Sequence, residues 1–257
     1  MTIAMSSQIR RYGSALLDLV YPRRCEGCEA SLAFGREAEE RWLCDECIRA
    51  LPRIVPPFCK VCGEPYDGAI TEAFRCANCE DLKLRFDFAV AAYRGDDLVR
   101  ELIHRFKYNK QQHLSGLLGA LLARTLEDAR LSPIQGSIAA LIPVPLFHAR
   151  QREREYNQAW ELCVELSERV RIPALNALKR VRPTIAQASL TRTQRTQNLR
   201  GAFHVRSSIL RSGMLKGKTV LLVDDVLTTG STASECARML RREAKVEKVV
   251  VITVARG

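Results

Sequence analysis

Residues 220–232, which read VLLVDDVLTTGST, decide the fold. Four apolar residues come first, and an apolar run of this kind indicates a strand that is buried on both faces of a parallel sheet. Two adjacent acids, Asp224 and Asp225, follow the run. Because ligands bind outside the carboxyl ends of the strands in an open α/β sheet, we expect both carboxylates at the edge of a binding cleft.

The loop after the two acids is suited to a phosphate group. Residues 228–232 carry four hydroxyls and one glycine at the predicted start of a helix. The free N–H groups and the positive end of a helix favour phosphate there, and carboxylates accept hydrogen bonds from sugar hydroxyls. We therefore predict a ribose-phosphate site in which Asp224 and Asp225 bind the ribose and are the catalytic residues. The predicted ligand contacts come from Asp224, Asp225, Val226, Leu227, Thr228, Thr229, Gly230, Ser231 and Thr232.

Two other interpretations of this stretch exist. A Walker B strand also ends in acids, but it requires a Walker A loop, and the segment GMLKGKT at 213–219 has three residues between its glycines where that loop has four. That segment also leads into a strand, whereas a Walker A loop leads into a helix. The second interpretation is purely structural, with two acids at a strand end beside a threonine that caps a helix, and it stays open at this point.

Strand and helix patterns alternate along the rest of the chain. Strand patterns occupy 88–93, 138–142, 218–224 and 248–254, and helical patterns occupy 97–108, 114–129, 157–171 and 232–244. This alternation predicts an α/β fold with a doubly wound parallel sheet. The predicted organisation has three segments, which are an amphipathic helix at 1–22, a small cysteine-rich module at 23–85 and an α/β domain at 86–257.

Eight of the ten cysteines form four CxxC pairs within residues 23–85. Two such pairs make a tetrahedral site of four thiolates, because the two-residue gap lets both thiolates of a pair reach one Zn²⁺ ion. Pairs joined in sequence would give tandem zinc ribbons, which we favour, and interleaved pairs would give a cross-brace. The regular pairs suit zinc better than an iron–sulfur cluster, and a purely structural role is the simplest interpretation of both sites. The predicted zinc ligands are Cys25, Cys28, Cys44, Cys47, Cys59, Cys62, Cys76 and Cys79.

The formal net charge of +11 is concentrated outside the cysteine-rich module. Residues 23–85 contain 10 basic and 12 acidic side chains, so the positive charge belongs to the α/β segment. Within that segment, residues 179–211 contain eight Lys and Arg side chains and no acidic one. Such a stretch favours phosphate, either in a small ligand or in nucleic acid.

The sequence predicts a cytoplasmic protein without membrane insertion. No run of 18 apolar residues occurs, and Asp18 interrupts the apolar stretch near the N-terminus. Cytoplasmic thiols stay reduced, which favours metal binding over disulfide formation for the paired cysteines.

Several motifs together resemble a known family. Residues 223–232 look like the phosphoribosyl pyrophosphate (PRPP) motif of type I phosphoribosyltransferases, and the whole chain resembles the ComF (GntX-like) family, which also begins with a double zinc ribbon. The resemblance implies a type I phosphoribosyltransferase fold, binding of PRPP with Mg²⁺, and a link to DNA uptake during transformation; it leaves the acceptor undefined. The further matching residues are Ile142 to Pro145, Arg150, Arg152, Arg154, Asn157, Gln158, Arg180, Thr184, Gln187, Arg195 and Asn198 to Phe203.

Cations are expected to bind the pyrophosphate group, because its departure from PRPP builds up negative charge. Three arginines follow a predicted strand end and are candidates, and a solvated charged face is an equally good interpretation of any one of them. Lys107 with Tyr108 resembles a Lys-Tyr pair of the family, and residues 180–200 would form a mobile lid over PRPP. The pyrophosphate and lid candidates are Lys107, Arg150, Arg152, Arg154 and Arg195.

Two functions fit these features. The first is a phosphoribosyltransferase that moves phosphoribose to a nitrogenous acceptor. The second is a competence protein that binds single-stranded DNA and partner DNA-uptake proteins and whose PRPP site is regulatory or vestigial. The intact acidic pair and the hydroxyl-rich loop favour PRPP binding, whereas nothing in the sequence identifies an acceptor pocket.

Protein purified without added metal should contain about two zinc ions per chain, because eight paired thiols form two tetrahedral sites. Elemental analysis measures this directly, and a zinc content near zero with iron present would contradict it. Chelation should unfold residues 23–85 and leave the α/β domain folded, because structural zinc supplies the folding energy of such modules.

Overall fold

The computed structural model describes residues 23–33, 38–68, 74–183 and 199–257. The predicted helix at 1–22, the lid candidate Arg195 and most of the predicted lid lie outside the described residues. The chain divides into two compact units, residues 1–51 and residues 52–257. These units are defined by packing, whereas the segments 1–22, 23–85 and 86–257 follow sequence patterns, and that division stays a prediction.

The described part of the smaller unit is built from tight turns and short helices. A 3-10 helix spans Ala38–Arg41 and an α-helix, α1, spans Asp45–Ala50. The N–H of Cys25 donates to the carbonyl of Ala30 at 2.8 Å, which closes the turn that holds the first CxxC pair. Helix α1 begins directly after Cys44, so the second pair sits at a helix start.

Four parallel strands form the centre of the larger unit. They have the order β1-β6-β5-β2, and a separate antiparallel pair is formed by β3 and β4. This parallel sheet confirms the predicted α/β fold class. The strands are β1 (Phe88–Arg94), β2 (Ile138–Pro143), β3 (Leu178–Arg180), β4 (Phe203–Val205), β5 (Thr219–Leu227) and β6 (Lys248–Arg256).

Strand β5 continues beyond Asp224, where the predicted strand ends. Asp224 is paired with Thr253, and Leu227 is paired with Arg256 of β6. The hydrophobic pattern did not show this extension, because the pairing uses backbone groups and the side chains at 224 and 225 are acidic. Both carboxylates are therefore carried on the strand itself, next to a neighbouring strand that holds them in place.

Helices lie on both faces of the sheet. The remaining α-helices are α2 (Ala77–Asp81), α3 (Asp97–Tyr108), α4 (Ser115–Ala123), α5 (His148–Arg154), α6 (Gln158–Val170), α7 (Ser207–Ser212) and α8 (Ser231–Glu243). Val220 and Leu222 of β5 share a core with Ala233 and Ala237 of α8. Helix α6 packs against β2 and β5, and α4 packs against α6 and β6. The sheet is thus covered on both sides, as the apolar runs predicted.

Helix α4 is buried all round and ends earlier than its sequence pattern predicts. It stops at Ala123 and continues as a 3-10 turn over Arg124–Glu127. The Thr125 hydroxyl donates to the carbonyl of Leu122 at 2.7 Å, which competes with the helical ladder at this point. Gly119 permits the close approach of α6, because a Cβ there would lie 2.6 Å from the Cβ of Glu165.

Within the described ranges no helix is long and apolar enough to cross a membrane.

The antiparallel pair of β3 and β4 lies beside α8. Its anchor is Glu243, which accepts a hydrogen bond from the N–H of Val205 at 2.8 Å and pairs with His204 at 2.9 Å. This small sheet carries the first residues of the basic stretch that was noted in the sequence.

Candidate functional site

A cleft of about 330 Å³ lies at the carboxyl ends of β2 and β5. Most of the predicted site residues meet there, although Arg152 is not among the described residues that line it, nor are Leu227, Thr229, Gly230 and Ser231. The lining residues are Lys107, Val144, Pro145, Leu146, Arg150, Arg154, Asn157, Gln158, Ala159, Arg180, Asp224, Asp225, Val226, Thr228 and Thr232.

The two carboxylates at the end of β5 are in different environments. Asp225 is 5 % exposed, and its Oδ1 lies 2.9 Å from the Nζ of Lys107. Asp224 accepts a hydrogen bond from the N–H of Asp225 at 3.0 Å. Burial and the neighbouring Asp225 carboxylate raise the pKa of Asp224 to about 7. One carboxylate is thus neutralised by an ion pair, and the other holds its proton far more tightly than an exposed aspartate does.

Lys107 reaches the cleft from the last turn of α3. Burial lowers its pKa, but the charges of Asp225 and Asp224 and the hydrogen bond to Asp225 outweigh that effect and raise it. The helix end is fixed by Tyr156, whose hydroxyl donates to the carbonyl of Phe106. The lysine is therefore charged and held in place by packing as well as by its partner.

Arg154 is immobilised on the wall that faces the carboxylates. Its guanidinium lies over the ring of Tyr108, 4.8 Å from the ring centroid, and donates to the Tyr108 hydroxyl at 3.1 Å. A second N–H donates to Oε1 of Gln158 at 3.1 Å. Arg150 and Lys107 also line the cleft, so three cationic side chains contribute positive charge to it.

The loop between β5 and α8 has the form that the sequence predicts. Gly230 has a φ of +74°, and the hydroxyls of Thr229 and Ser231 lie 3.0 Å apart. A Cβ on Gly230 would lie 3.4 Å from the ring of Phe86, so a side chain there meets both strained backbone and a packed neighbour. The hydroxyl residues Thr228 and Thr232 line the cleft on either side of this turn.

The eight paired cysteines form two clusters. Cys25, Cys28, Cys44 and Cys47 make the first, and Cys59, Cys62, Cys76 and Cys79 make the second; within each, the Sγ atoms lie within 4.8 Å of one another. The tandem pairing is therefore the observed one, and the cross-brace is not. Four thiols at this separation suit a tetrahedral ion, and the two four-cysteine clusters are consistent with two zinc ions.

Backbone N–H groups prepare one thiol of each cluster for metal binding. The Sγ of Cys25 accepts from the N–H of Cys44 at 3.2 Å, and that of Cys59 accepts from the N–H of Cys76 at 3.3 Å. Burial raises the pKa of each thiol, but these and neighbouring N–H groups outweigh it and lower both pKa values to about 7. A metal ligand must be a thiolate, so this environment favours the bound form.

The second cluster is part of the core of the larger unit. Cys59, Cys62 and Cys79 pack in the same core as Phe86 and Ala89. We predicted that chelation leaves the α/β domain folded. For this cluster that prediction needs revision, because loss of a metal ion from these cysteines would disturb the core on one face of the sheet.

Arg256 is a structural residue that sequence reasoning missed. It is 5 % exposed, donates to the carbonyl of Leu227 at 2.8 Å and lies 3.8 Å from the Sγ of Cys62. It also pairs with Glu64. The sequence feature that could have indicated this role is a charged residue at the end of an apolar strand. This cation joins the second cluster to the end of β5, from which the loop that leads to α8 departs.

Comparison with known proteins gives two domain matches. Residues 16–81 match the double zinc ribbon domain, and residues 174–257 match the phosphoribosyl transferase domain. Competence protein F of Haemophilus influenzae is 35% identical over 91% of this chain and 97% of its own. The DNA utilization protein YhgH of Shigella flexneri is 30% identical over 87% of this chain and 93% of its own. The match to a hypoxanthine phosphoribosyltransferase structure from Staphylococcus aureus covers 57% of this chain and 63% of that chain, at 16% identity and a TM-score of 0.30.

Single amide substitutions of the two acids should change the stability of the ligand-free protein in opposite directions. A carboxyl whose pKa is raised on folding binds its proton more tightly in the folded state, so its contribution to stability is lost as the pH rises. For Asp224 this window runs from about 4 to about 7. Asp224→Asn should therefore become more stable than wild type as the pH rises from about 5 to about 8, as measured by urea unfolding.

Asp225→Asn is the matched control. It removes the charge that pairs with Lys107 and should lower the free energy of unfolding by about 1.5–3 kcal/mol at about pH 8, the value of a hydrogen bond to a charged group. If both variants were equally destabilised at that pH, the different environments assigned to the two carboxylates would be wrong.

Proposed function

This chain belongs to the competence protein F family, with an N-terminal double zinc ribbon and a phosphoribosyltransferase domain, and from that premise we propose that its cleft binds PRPP and transfers the phosphoribosyl group to a nitrogenous acceptor. The observation that carries the proposal is the adjacent pair Asp224 and Asp225 at the end of a buried parallel strand, followed by a hydroxyl-rich turn at the start of a helix.

The two acids are the proposed ribose ligands. Carboxylate oxygens accept hydrogen bonds from the 2′- and 3′-hydroxyls, and a bond to a charged acceptor is stronger than one between neutral groups. Thr228 and Thr232 offer hydroxyls from the turn that follows, and α8 begins at Ser231. The 5′-phosphate is therefore proposed to lie at this helix start, where N–H groups and the helix dipole favour an anion.

The opposite wall is proposed to stabilise the leaving group. In the transfer, the bond between C1 of the ribose and the pyrophosphate oxygen breaks, and its electron pair leaves with the pyrophosphate. The acceptor nitrogen then supplies the pair that forms the new bond to C1. Charge that develops on the pyrophosphate needs fixed cations, and Lys107, Arg150 and Arg154 line that side of the cleft. Mg²⁺, when bound with PRPP, would supply further positive charge for the departing pyrophosphate beside these side chains.

The setting of the reaction is proposed from the relatives. The two relatives are a competence protein and a DNA utilization protein. We place this chain in the cytoplasm, where it would act with DNA-uptake proteins on DNA that enters the cell or on nucleotides derived from that DNA.

A second candidate function is binding of single-stranded nucleic acid. Five basic side chains between residues 179 and 211 are exposed on or beside the small antiparallel sheet, namely Lys179, Arg182, Arg200, Arg206 and Arg211. An exposed group of like charges attracts a phosphate backbone with little sequence preference. In this alternative the PRPP site is regulatory. PRPP binds in the cleft when its concentration is high enough, and no phosphoribosyl transfer takes place.

The double variant Asp224→Asn with Asp225→Asn should bind PRPP at least about tenfold more weakly than wild type, because about 1.4 kcal/mol is one decade in affinity and loss of a hydrogen bond to the charged Asp225 carboxylate alone costs about 1.5–3 kcal/mol. Calorimetry with Mg²⁺ and PRPP on the folded variant measures this. Gly230→Val should weaken binding further, since φ is positive there. Unchanged affinity in the double amide variant would remove the ribose-binding assignment and most of the functional case.

Single-stranded DNA, if it binds, should lose affinity steeply with added salt and on replacement of Arg182, Arg200 and Arg206 by Ala. Each contact between a basic side chain and a phosphate releases about one counterion when DNA binds. Loss of such a contact therefore lowers the affinity and also weakens its dependence on salt. Fluorescence anisotropy with a labelled oligonucleotide at several salt concentrations tests this, and addition of PRPP shows whether the two ligands compete.

The control for net charge replaces the same number of exposed basic residues outside the 179–211 stretch. Arg100, Lys216 and Arg242 are exposed and lie outside it. Their replacement by Ala lowers the net charge by the same amount, so an equal loss of affinity there would argue against this surface.

A further inference from the structure

Gln158 is an unusual side chain in the wall of the cleft. It is 2 % exposed, and its Nε2 has no hydrogen-bond partner among the residues that the structure describes. A buried amide N–H without a partner is costly, since it has left water and gained nothing in return. An unsatisfied donor in the wall of a ligand cleft indicates a group that is completed by the ligand.

The orientation of this amide is fixed by its other end. Oε1 accepts from Arg154, which is itself held against the ring and hydroxyl of Tyr108. Because a guanidinium can only donate, the amide must present its oxygen to Arg154 and its NH₂ group elsewhere. Gln158 therefore offers the cleft a donor and no acceptor.

The backbone around Gln158 adds to this preference for an anion. Gln158 is the first residue of α6, a helix of 13 residues, and the preceding Asn157 accepts a hydrogen bond from the N–H of Ala159 at 3.1 Å. All three residues line the cleft. The positive end of the helix, the cationic side chain of Arg154 and the unpartnered amide thus converge on one wall.

We propose that Nε2 of Gln158 donates a hydrogen bond to a pyrophosphate oxygen of bound PRPP and that Arg154 acts as the positioning residue for this amide. The inference rests on the proposed function. In the proposed binding mode the ribose hydroxyls contact Asp224 and Asp225, and the 5′-phosphate contacts the turn before α8, residues of which line the same cleft. The pyrophosphate is the remaining anionic group of PRPP. We assign it to the wall formed by Arg154 and Gln158, which offers only hydrogen-bond donors. Gln158 then distinguishes PRPP from ribose 5-phosphate.

The test is Gln158→Met, which keeps the length of the side chain and removes both polar ends. Calorimetry with Mg²⁺ is run on wild type and variant with PRPP and, separately, with ribose 5-phosphate. We expect the affinity for PRPP to fall about tenfold or more, the effect of a hydrogen bond to a charged group, and the affinity for ribose 5-phosphate to change less than about twofold. The melting temperature should stay level or rise, because the variant no longer buries an unsatisfied donor.

Gln158→Glu distinguishes a direct contact between Gln158 and PRPP from an indirect effect through a displaced Arg154. This variant keeps the shape and the partner of Arg154 but places an acceptor where the donor was, so PRPP should again be lost selectively. Gln151→Met on the exposed side of α5, outside the lining of this cleft, is the matched control and should bind both ligands as wild type does.

Each result decides between the inference and its alternatives. Wild-type affinity for PRPP in both Gln158 variants would overturn the inference and leave the proposed function intact. An equal loss for PRPP and ribose 5-phosphate would also overturn it, since the amide would then serve the shared part of the ligand or the fold. Failure of the wild-type protein to bind PRPP would overturn the proposed function and the inference together.

Discussion

The ion pair between Lys107 and Asp225 is the interaction on which the arrangement of the cleft depends. The two side chains are 19 % and 7 % exposed and lie 2.9 Å apart. A charge buried this deeply without a partner would be strongly destabilising, so the end of α3 and the end of β5 must meet. The meeting point also brings Arg154 across from Asp224, because Arg154 is stacked on the residue that follows Lys107. One electrostatic constraint thus sets both walls.

Those walls are chemically distinct, and each is carried by its own elements. Strand β5 and the turn before α8 supply carboxylates and hydroxyls, whereas α3, α5 and the first residue of α6 supply cations and an amide donor. A ligand with sugar hydroxyls at one end and a polyanion at the other matches this division. Inorganic phosphate alone would contact only one of the two walls. The division comes from the topology, because helices from both faces of the sheet end or begin where β2 and β5 terminate.

The features that sequence reasoning predicted are those encoded within a few consecutive residues. The apolar run before Asp224, the hydroxyl-rich turn and the CxxC pairs each carry their own signal, and the structure contains the predicted strand, the turn and two four-cysteine clusters. The features that it missed depend on tertiary contacts. The extension of β5 to Leu227 is imposed by β6, and the partner of Asp225 is a lysine far earlier in the chain. The role of Arg256 could not be predicted, since the partners Leu227, Cys62 and Glu64 come from distant segments.

The second cysteine cluster has a consequence for how the larger unit reaches its folded state. Its cysteines pack beside Phe86, and Phe86 in turn packs on Gly230 at the start of α8. Binding of a metal ion by these thiols would therefore belong to the same folding event as completion of one face of the sheet, since the free energy of metal binding is free energy of folding where the ligands belong to a core. During synthesis, β5 and β6 leave the ribosome after this cluster. The cysteines of this cluster therefore leave the ribosome before the two strands that complete the core they share.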